Sequence, residues 1–540
     1  MSSARAANDP TQVRISTRWS VIQRVITTNR APAIEQKFLV ILLCMFAAKG
    51  FAIAFVHQPF TGHDEVMHYA YLSFVAEEGR VPVIPDLGQW QQDYNAKKGI
   101  NHDRAPERLW QYCQFTTPDW KGPNAGLGFC TESSPVYAAN VPRNGEWPLY
   151  PVGWIYTANH PPLYYLYMTP VYWLTKHLSP AGQLYFFRIA TIPFGLITVL
   201  FAYLTVRQLF PGDRFLAITV PAFVAFQPQI SYESSMLNND IMAIAFTSVV
   251  LYLVVVGLKK RFPVWNCVLL GAFYGLAVLS KNTSLTAGVI IGFAMIAGLG
   301  GRNWREWVPK GTIAAGTAGL IVWPWFLFMW LTYGDFTGLG RIQKLQYWNY
   351  NGVTPPTIWH MLSNKWFFWG RWQETWGDFG WRMIPLSDTL LKIIFYPVLL
   401  GVVGLGIYAV RFWKVQQPLL QAGSDAERSA IESRSDNTLA IAQWQVVALL
   451  TLGLTCVVAY FAILQFGLTF SLTQARYYFP AINAGAILLM LGVRSWFPRK
   501  WLPYVTFAVF LAVVALYVYI YTGYVVPWNL TGQFATDKGF

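Results

Sequence analysis

FLVILLCMFAAKGFAIAFV (38–56) runs straight into HQPFTGHDEVMHYAY (57–71), and the boundary between these stretches decides the fold. The first is apolar apart from Lys49. Its length approaches the roughly 20 residues that a helix needs to cross about 30 Å of hydrocarbon. The second brings three histidines, two carboxylates and two tyrosines to the point where the hydrophobic run stops. A membrane span followed at once by ionisable residues places chemistry at a membrane face. Lys49 either snorkels to that face or meets a polar cavity.

Composition carries this reading to the whole chain. The 540 residues are 54% hydrophobic, 17% aromatic and 12% charged, with a mean hydropathy of +0.33. A soluble domain carries about 25% charged residues, so a soluble enzyme, a disordered chain and a collagen are excluded. Five cysteines are too few for a disulfide scaffold. The net charge of +14 is assigned to membrane lipids and cytoplasmic loops, not to nucleic acid.

Further apolar runs lie at 184–209, 215–230, 241–258, 264–280, 284–299, 311–331, 389–412, 444–465, 477–491 and 504–524. With the first they predict an all-α polytopic protein of about eleven spans. Residues 1–37 form a basic tail, cytoplasmic by the positive-inside rule. The stretch 161–178 is laid along the outer interface, because a span there would turn every later basic cluster outward. The organisation is then an external subdomain at 57–183, a membrane module at 184–331 and an aromatic-rich external loop at 332–388. Helices at 389–525 follow, with a cytoplasmic linker at 413–443 and an external tail at 526–540. Cys113 and Cys130 share the first external loop and are candidates for a disulfide.

Three external segments carry candidate chemistry. Asp64 and Glu65 are adjacent, so one can face a cleft while the other braces the structure. His68 lies one helical turn after Asp64, on its face. A carboxylate beside a histidine suits a general base acting on a hydroxyl; the alternative is helix capping. The segment QPQISYESSMLNNDIMA (227–243) adds Glu233, Asn239 and Asp240, which capping also explains. In LTFSLTQARYYFPA (468–481), Arg476 and Tyr477 stand where a lipid phosphate would meet a guanidinium, and Lys281 is a similar boundary cation. His160 precedes a proline pair. The loop at 364–385 crowds Arg371, Glu374 and Asp378 among tryptophans that anchor in head groups or stack on sugars.

In order along the chain, D-E-x-x-H-Y (64–69), NHPPLYYLY (159–167), Arg188, NND (238–240), GLAVLSKNTSL (275–285), FFWGRW (367–372) and QARYYFPA (474–481) resemble the GT-C superfamily. These are membrane glycosyltransferases that use polyprenyl-phosphate-linked sugars. Within it, the resemblance is to the clan of protein O-mannosyltransferases and aminoarabinose transferases, and to its family of uncharacterised bacterial multi-span proteins. It implies that Asp64, with Glu65 beside it, deprotonates a hydroxyl on a glycan, lipid or protein. The hydroxyl attacks a polyprenyl-phosphate-linked sugar with inversion, on the external face of a bacterial plasma membrane. His68, His160, Asn239, Asp240, Lys281, Arg476 and Tyr477 would bind substrate. No cofactor is required by this scheme; a divalent cation, where one binds, would take Asp64, His68 and Asp240. Competing classes are a flippase for lipid-linked glycans and a silent subunit of a membrane assembly.

Overall fold

The computed structural model describes residues 33–98, 102–116, 151, 153–345, 356–421, 436, 438–468 and 474–531. The helices that build the membrane body and the site are α1 (Ala33–Val56), α2 (Glu65–Glu78), α3 (Leu163–Thr175), α4 (Pro180–Leu209), α5 (Arg214–Phe226) and α6 (Pro228–Glu233). They continue as α7 (Asp240–Lys260), α8 (Val264–Ser280), α9 (Ala287–Leu299), α10 (Trp304–Tyr333) and α11 (Lys365–Trp376). The last are α12 (Asp388–Gln421), α13 (Gln443–Gly467), α14 (Ile482–Ser495) and α15 (Leu502–Ile520).

The expected apolar runs fall on helical chain, although the run at 215–230 is split between α5 and α6 and those at 284–299 and 477–491 begin in 3₁₀ turns. Among the described residues, nine helices are long and apolar enough to cross a membrane, and α5 and α8 are shorter apolar ones. The chain is thus an integral, multi-pass, all-helical membrane protein. Helix α3 has 13 residues, about 20 Å at 1.5 Å per residue, and is shorter than the hydrocarbon core. The Cys113–Cys130 pairing lies outside the described residues, since Cys130 is not among them.

Helix α7 is buried almost throughout, packed between α4 and α8, whereas α15 lies at the periphery. Lipid tails are as apolar as leucine, so close backbone approach between membrane helices needs small residues. Where α12 crosses α14, a Cβ on Gly492 would stand 1.9 Å from the Gly401 carbonyl oxygen. A Cβ on Gly271 of α8 would stand 2.2 Å from the Ala314 carbonyl of α10.

Charged side chains collect at the two ends of this body. At one end Glu35 meets Arg207 (3.1 Å), and Arg494 joins Asp213 (2.5 Å) to Asp436 (3.0 Å). Between the ends Lys49 neither snorkels freely nor meets an acid. Its ammonium donates to Ser231 Oγ and lies over Phe46 and Tyr517.

The other end is organised by Arg188, which is fully buried. Its guanidinium donates to Glu65 Oε1 (2.8 Å) and Oε2 (2.6 Å), and to the carbonyls of Ala54 (2.9 Å), His57 (2.7 Å) and Gln58 (3.0 Å). Those carbonyls belong to the last turn of α1 and the residues after it, where helical partners run out and the dipole favours a cation. Glu65 also accepts from the backbone N–H groups of Gly62 and Leu237, each at 3.0 Å. One ion pair therefore joins the end of α1, the start of α2, α4 and the loop before α7. Asn529 extends the same end by holding the Gln58 backbone N–H (3.3 Å).

Removing one partner of a buried ion pair costs about 3–5 kcal/mol. Arg188→Met is expected to lower the melting temperature strongly or abolish the monodisperse peak in detergent gel filtration. Arg188→Lys is expected to fail as well, because an ammonium cannot reach all these acceptors. An unchanged melting temperature for Arg188→Lys would remove the pair from this role.

Candidate active site

Asp64 is the residue just before α2 and sits in the left-handed region, φ 58°. Asparagine and aspartate tolerate that conformation better than most residues. Its side chain makes no capping hydrogen bond, so capping does not account for it. Instead Oδ1 accepts from Tyr156 Oη (2.8 Å), and Oδ2 accepts from Arg476 Nη2 (2.6 Å). The neighbouring Glu65 points away and is spent on Arg188 and two amides. The adjacent pair is thus divided into a cleft carboxylate and a structural one.

Arg476 reaches Asp64 from the short 3₁₀ turn Ala475–Ala481 that precedes α14. Its Nη1 lies 3.6 Å from Asp240 Oδ2, and its Nε and Nη1 have no hydrogen-bond partner among the described residues. Asp240 opens α7 yet does not cap it; Asn238 Oδ1 accepts the Ile241 N–H at 3.2 Å instead. The second oxygen of Asp240 is paired with Lys281. Asn239 donates to the Ser280 carbonyl (2.8 Å) and so holds the chain beside Lys281. The Tyr477 ring lies 5.2 Å from the Lys281 ammonium and 5.8 Å from the Arg476 guanidinium.

A file of aromatic groups closes the other flank. His68 Nδ1 shares a hydrogen bond with Tyr165 Oη (2.9 Å), which stands 3.4 Å from His160 Nδ1. The site residues expected from sequence therefore converge, with Glu65 acting as the brace. Among the described residues, no group of three or more His, Cys, Asp or Glu side chains converges as a metal cluster would.

The aromatic-rich loop supplies the wall beyond Arg476. Glu374 of α11 accepts from the Ala475 N–H (2.8 Å) and pairs with Arg371 (2.8 Å) and Arg382 (2.5 Å). It thus fixes the turn that carries Arg476. A small cavity follows, lined by His63, Glu233, Asp378, Arg382 and Gln474 among others. Glu233 Oε2 and Asp378 Oδ1 are buried there without a hydrogen-bond partner among the described residues. Antiparallel bridges from Asp378 to Pro385 and from Phe379 to Ile384 hold the loop in shape. Ala475 also lines a second cavity of about 620 Å³ between α11, α12, α13 and α14. That cavity is almost wholly apolar and has Arg371 at its wall.

Burial and charge set the ionisation of these groups. Burial opposes the charged form of Asp64, but the Arg476 guanidinium outweighs it and holds the carboxyl well below the usual range. Burial pushes His63 down to about 3, reinforced by Arg476, and His68 down to about 4. Both are neutral imidazoles. Asp378 is pushed up to about 7 by burial and by Glu374. Glu233 also rises to about 7, by burial and against the pull of Arg476.

Residues 159–328 match the sequence family described as dolichyl-phosphate-mannose-protein mannosyltransferase. No curated protein matches the chain in sequence. Among solved structures, the chain is similar to ArnT from Cupriavidus metallidurans bound to undecaprenyl phosphate: 14% identity, 90% of this chain, 71% of that one, TM-score 0.43. It is also similar to the oligosaccharyltransferase AglB from Archaeoglobus fulgidus, in complex with an inhibitory peptide and a dolichol-phosphate. That likeness has 13% identity over 94% of this chain and 57% of AglB, with a TM-score of 0.46. The family match bears out the expected resemblance to the GT-C kind of membrane glycosyltransferase.

Sequence reading passed over Tyr156 and Tyr165. Tyr156 directly precedes the TANHPP stretch, and that adjacency was its only signal. The reading gave Glu374 and Asp378 no partner; Glu374 pairs with Arg371 in its own helix and with nearby Arg382, and only its bond to the Ala475 N–H comes from a distant part of the chain.

The raised carboxyls carry a stability signature. A carboxyl whose folded pKa exceeds its unfolded value stabilises the fold at low pH and loses that contribution as pH climbs through the folded value. Between about pH 4 and pH 7 the melting temperature is expected to fall and then to level off, with each group contributing about 1–3 kcal/mol. Asp378→Asn should flatten the profile, read by tryptophan fluorescence; an unchanged slope would mean that Asp378 ionises without cost.

Proposed function

We propose that the chain is a membrane glycosyltransferase that moves a sugar from a polyprenyl-phosphate donor to an acceptor hydroxyl, with Asp64 as the base. The observation that carries this reading is the division of the acidic pair. One carboxylate is consumed by the fold, while the other is withheld from capping and presented to a cleft beside a guanidinium with unused N–H groups.

The donor's chemistry fits the surroundings. An isoprenoid chain suits the apolar cavity between α11, α12, α13 and α14. Its phosphate would meet Arg476, whose Nε and Nη1 lack partners, with Lys281 across Asp240. Charge that develops on a leaving phosphate is best met by donors fixed beforehand. A hydroxyl on a glycan, lipid or protein gives its proton to Asp64, and its oxygen attacks the anomeric carbon. The bond from that carbon to the phosphate oxygen breaks with its electron pair leaving on polyprenyl phosphate. A single displacement inverts the centre. The N-terminus is cytoplasmic and the site lies on the external face.

A general base contributes about 10²–10⁴-fold to rate. Asp64→Asn, which keeps an oxygen for Tyr156 or Arg476, is expected to lose turnover by that factor. The assay is release of radiolabelled sugar from polyprenyl-phosphate-linked donors by purified protein in lipid. Equal release by wild type and variant would take the base role from Asp64.

A further inference from the structure

We propose that the Arg476 guanidinium, seconded by Lys281, occupies the place of a divalent cation between Asp64 and Asp240, so that the site works with a counter-ion built into the chain. This rests on the transferase reading for its catalytic consequence, but the cation site itself is tested independently of turnover.

Geometry argues first. Arg476 spans the two carboxylates with Nη2 at 2.6 Å from Asp64 and Nη1 at 3.6 Å from Asp240. A bridging cation would have to approach the same two oxygens at about 2.0–2.6 Å. The other oxygen of Asp64 is taken by Tyr156 (2.8 Å), and that of Asp240 by Lys281. His68, the third side chain that a metal would recruit, turns its Nδ1 to Tyr165 at 2.9 Å. Among the described residues, no three His, Cys, Asp or Glu side chains come together as a metal-holding group.

Charge argues next. Two carboxylates face two cations, all at most about a tenth exposed, and the sum is zero. A divalent ion added here would leave an uncompensated double positive charge in a water-poor site, which is costly. Glu233, the remaining nearby acid, already hydrogen-bonds Gln229 at 3.0 Å.

A guanidinium differs from a metal in consequence. It stays protonated at all working pH values, it cannot be chelated away, and its remaining N–H groups still point at an incoming phosphate. It gives up Lewis acidity, so acceptor activation falls to Asp64 alone.

The test is titration of the full-length protein with Mn²⁺ by calorimetry after chelator treatment, counting only binding that Asp64→Asn abolishes. Wild type is expected to show none. Arg476→Ala, which leaves Asp64 and Asp240 facing each other unbridged, is expected to gain Mn²⁺ binding that Asp64→Asn abolishes. Should Arg476→Ala fail to fold, Arg476→Gln removes the charge while retaining bulk and is titrated likewise. Mn²⁺ binding by wild type that disappears in Asp64→Asn would overturn the proposal. So would an absence of binding in folded Arg476→Ala or Arg476→Gln. In the transferase assay, chelator is expected to leave wild-type release unchanged. If wild type releases no sugar, the transferase reading falls while the titration still decides the cation site.

Discussion

A single buried ion pair sets the conditions for everything at the active end of this molecule. Arg188 and Glu65 are both inaccessible to water, a burial that ionic groups tolerate only when nearly every donor and acceptor is matched. Here the guanidinium is consumed by a carboxylate and three carbonyls, and the carboxylate by two further amides. The arrangement admits little slack. It fixes the angle at which the chain leaves the membrane after α1, and hence the left-handed turn at Asp64. A rotation of α2 about its axis would break several buried hydrogen bonds at once.

The same economy explains why two adjacent acids have opposite fates. Glu65 opens α2 while Asp64 precedes it in the left-handed region, so the two side chains leave the backbone in different directions. Glu65, on the inward face, becomes part of the fold, and that frees Asp64 from structural duty. At the start of α2 the Glu65 N–H goes to the Gly62 carbonyl (3.4 Å) and the Met67 N–H to the Asp64 carbonyl (3.0 Å), so the Asp64 side chain is not spent as a cap. Asp240 is relieved by Asn238, which accepts the Ile241 N–H.

Much of this was legible in the sequence, for physical reasons. Hydrophobic runs announce themselves because the bilayer imposes length and composition on each helix. Charged residues where such runs end stand out because charge is costly inside them, so Asp64, Asp240, Lys281 and Arg476 were all visible. Pairings were not. Arg188 reads as the start of a span, and nothing local says that it reaches across 123 residues to Glu65. Tyr156 is one tyrosine among 29, and only its placement opposite Asp64 gives it meaning. The aromatic-rich loop misled most. Its tryptophans read as membrane anchors, and Trp366 is indeed exposed, but Glu374 in the same helix holds the turn that carries Arg476.

The distance between Asp64 and Arg476 along the chain, 412 residues, has a consequence for biogenesis. At about 5–20 residues per second of synthesis, Asp64 leaves the ribosome some 20–80 s before its partner exists. Glu65 waits only about a third as long for Arg188. The brace can therefore close while most helices are still to be inserted, and the Asp64–Arg476 pair is completed only when the last helices arrive. A partly inserted chain would carry a finished scaffold and an unfinished cleft.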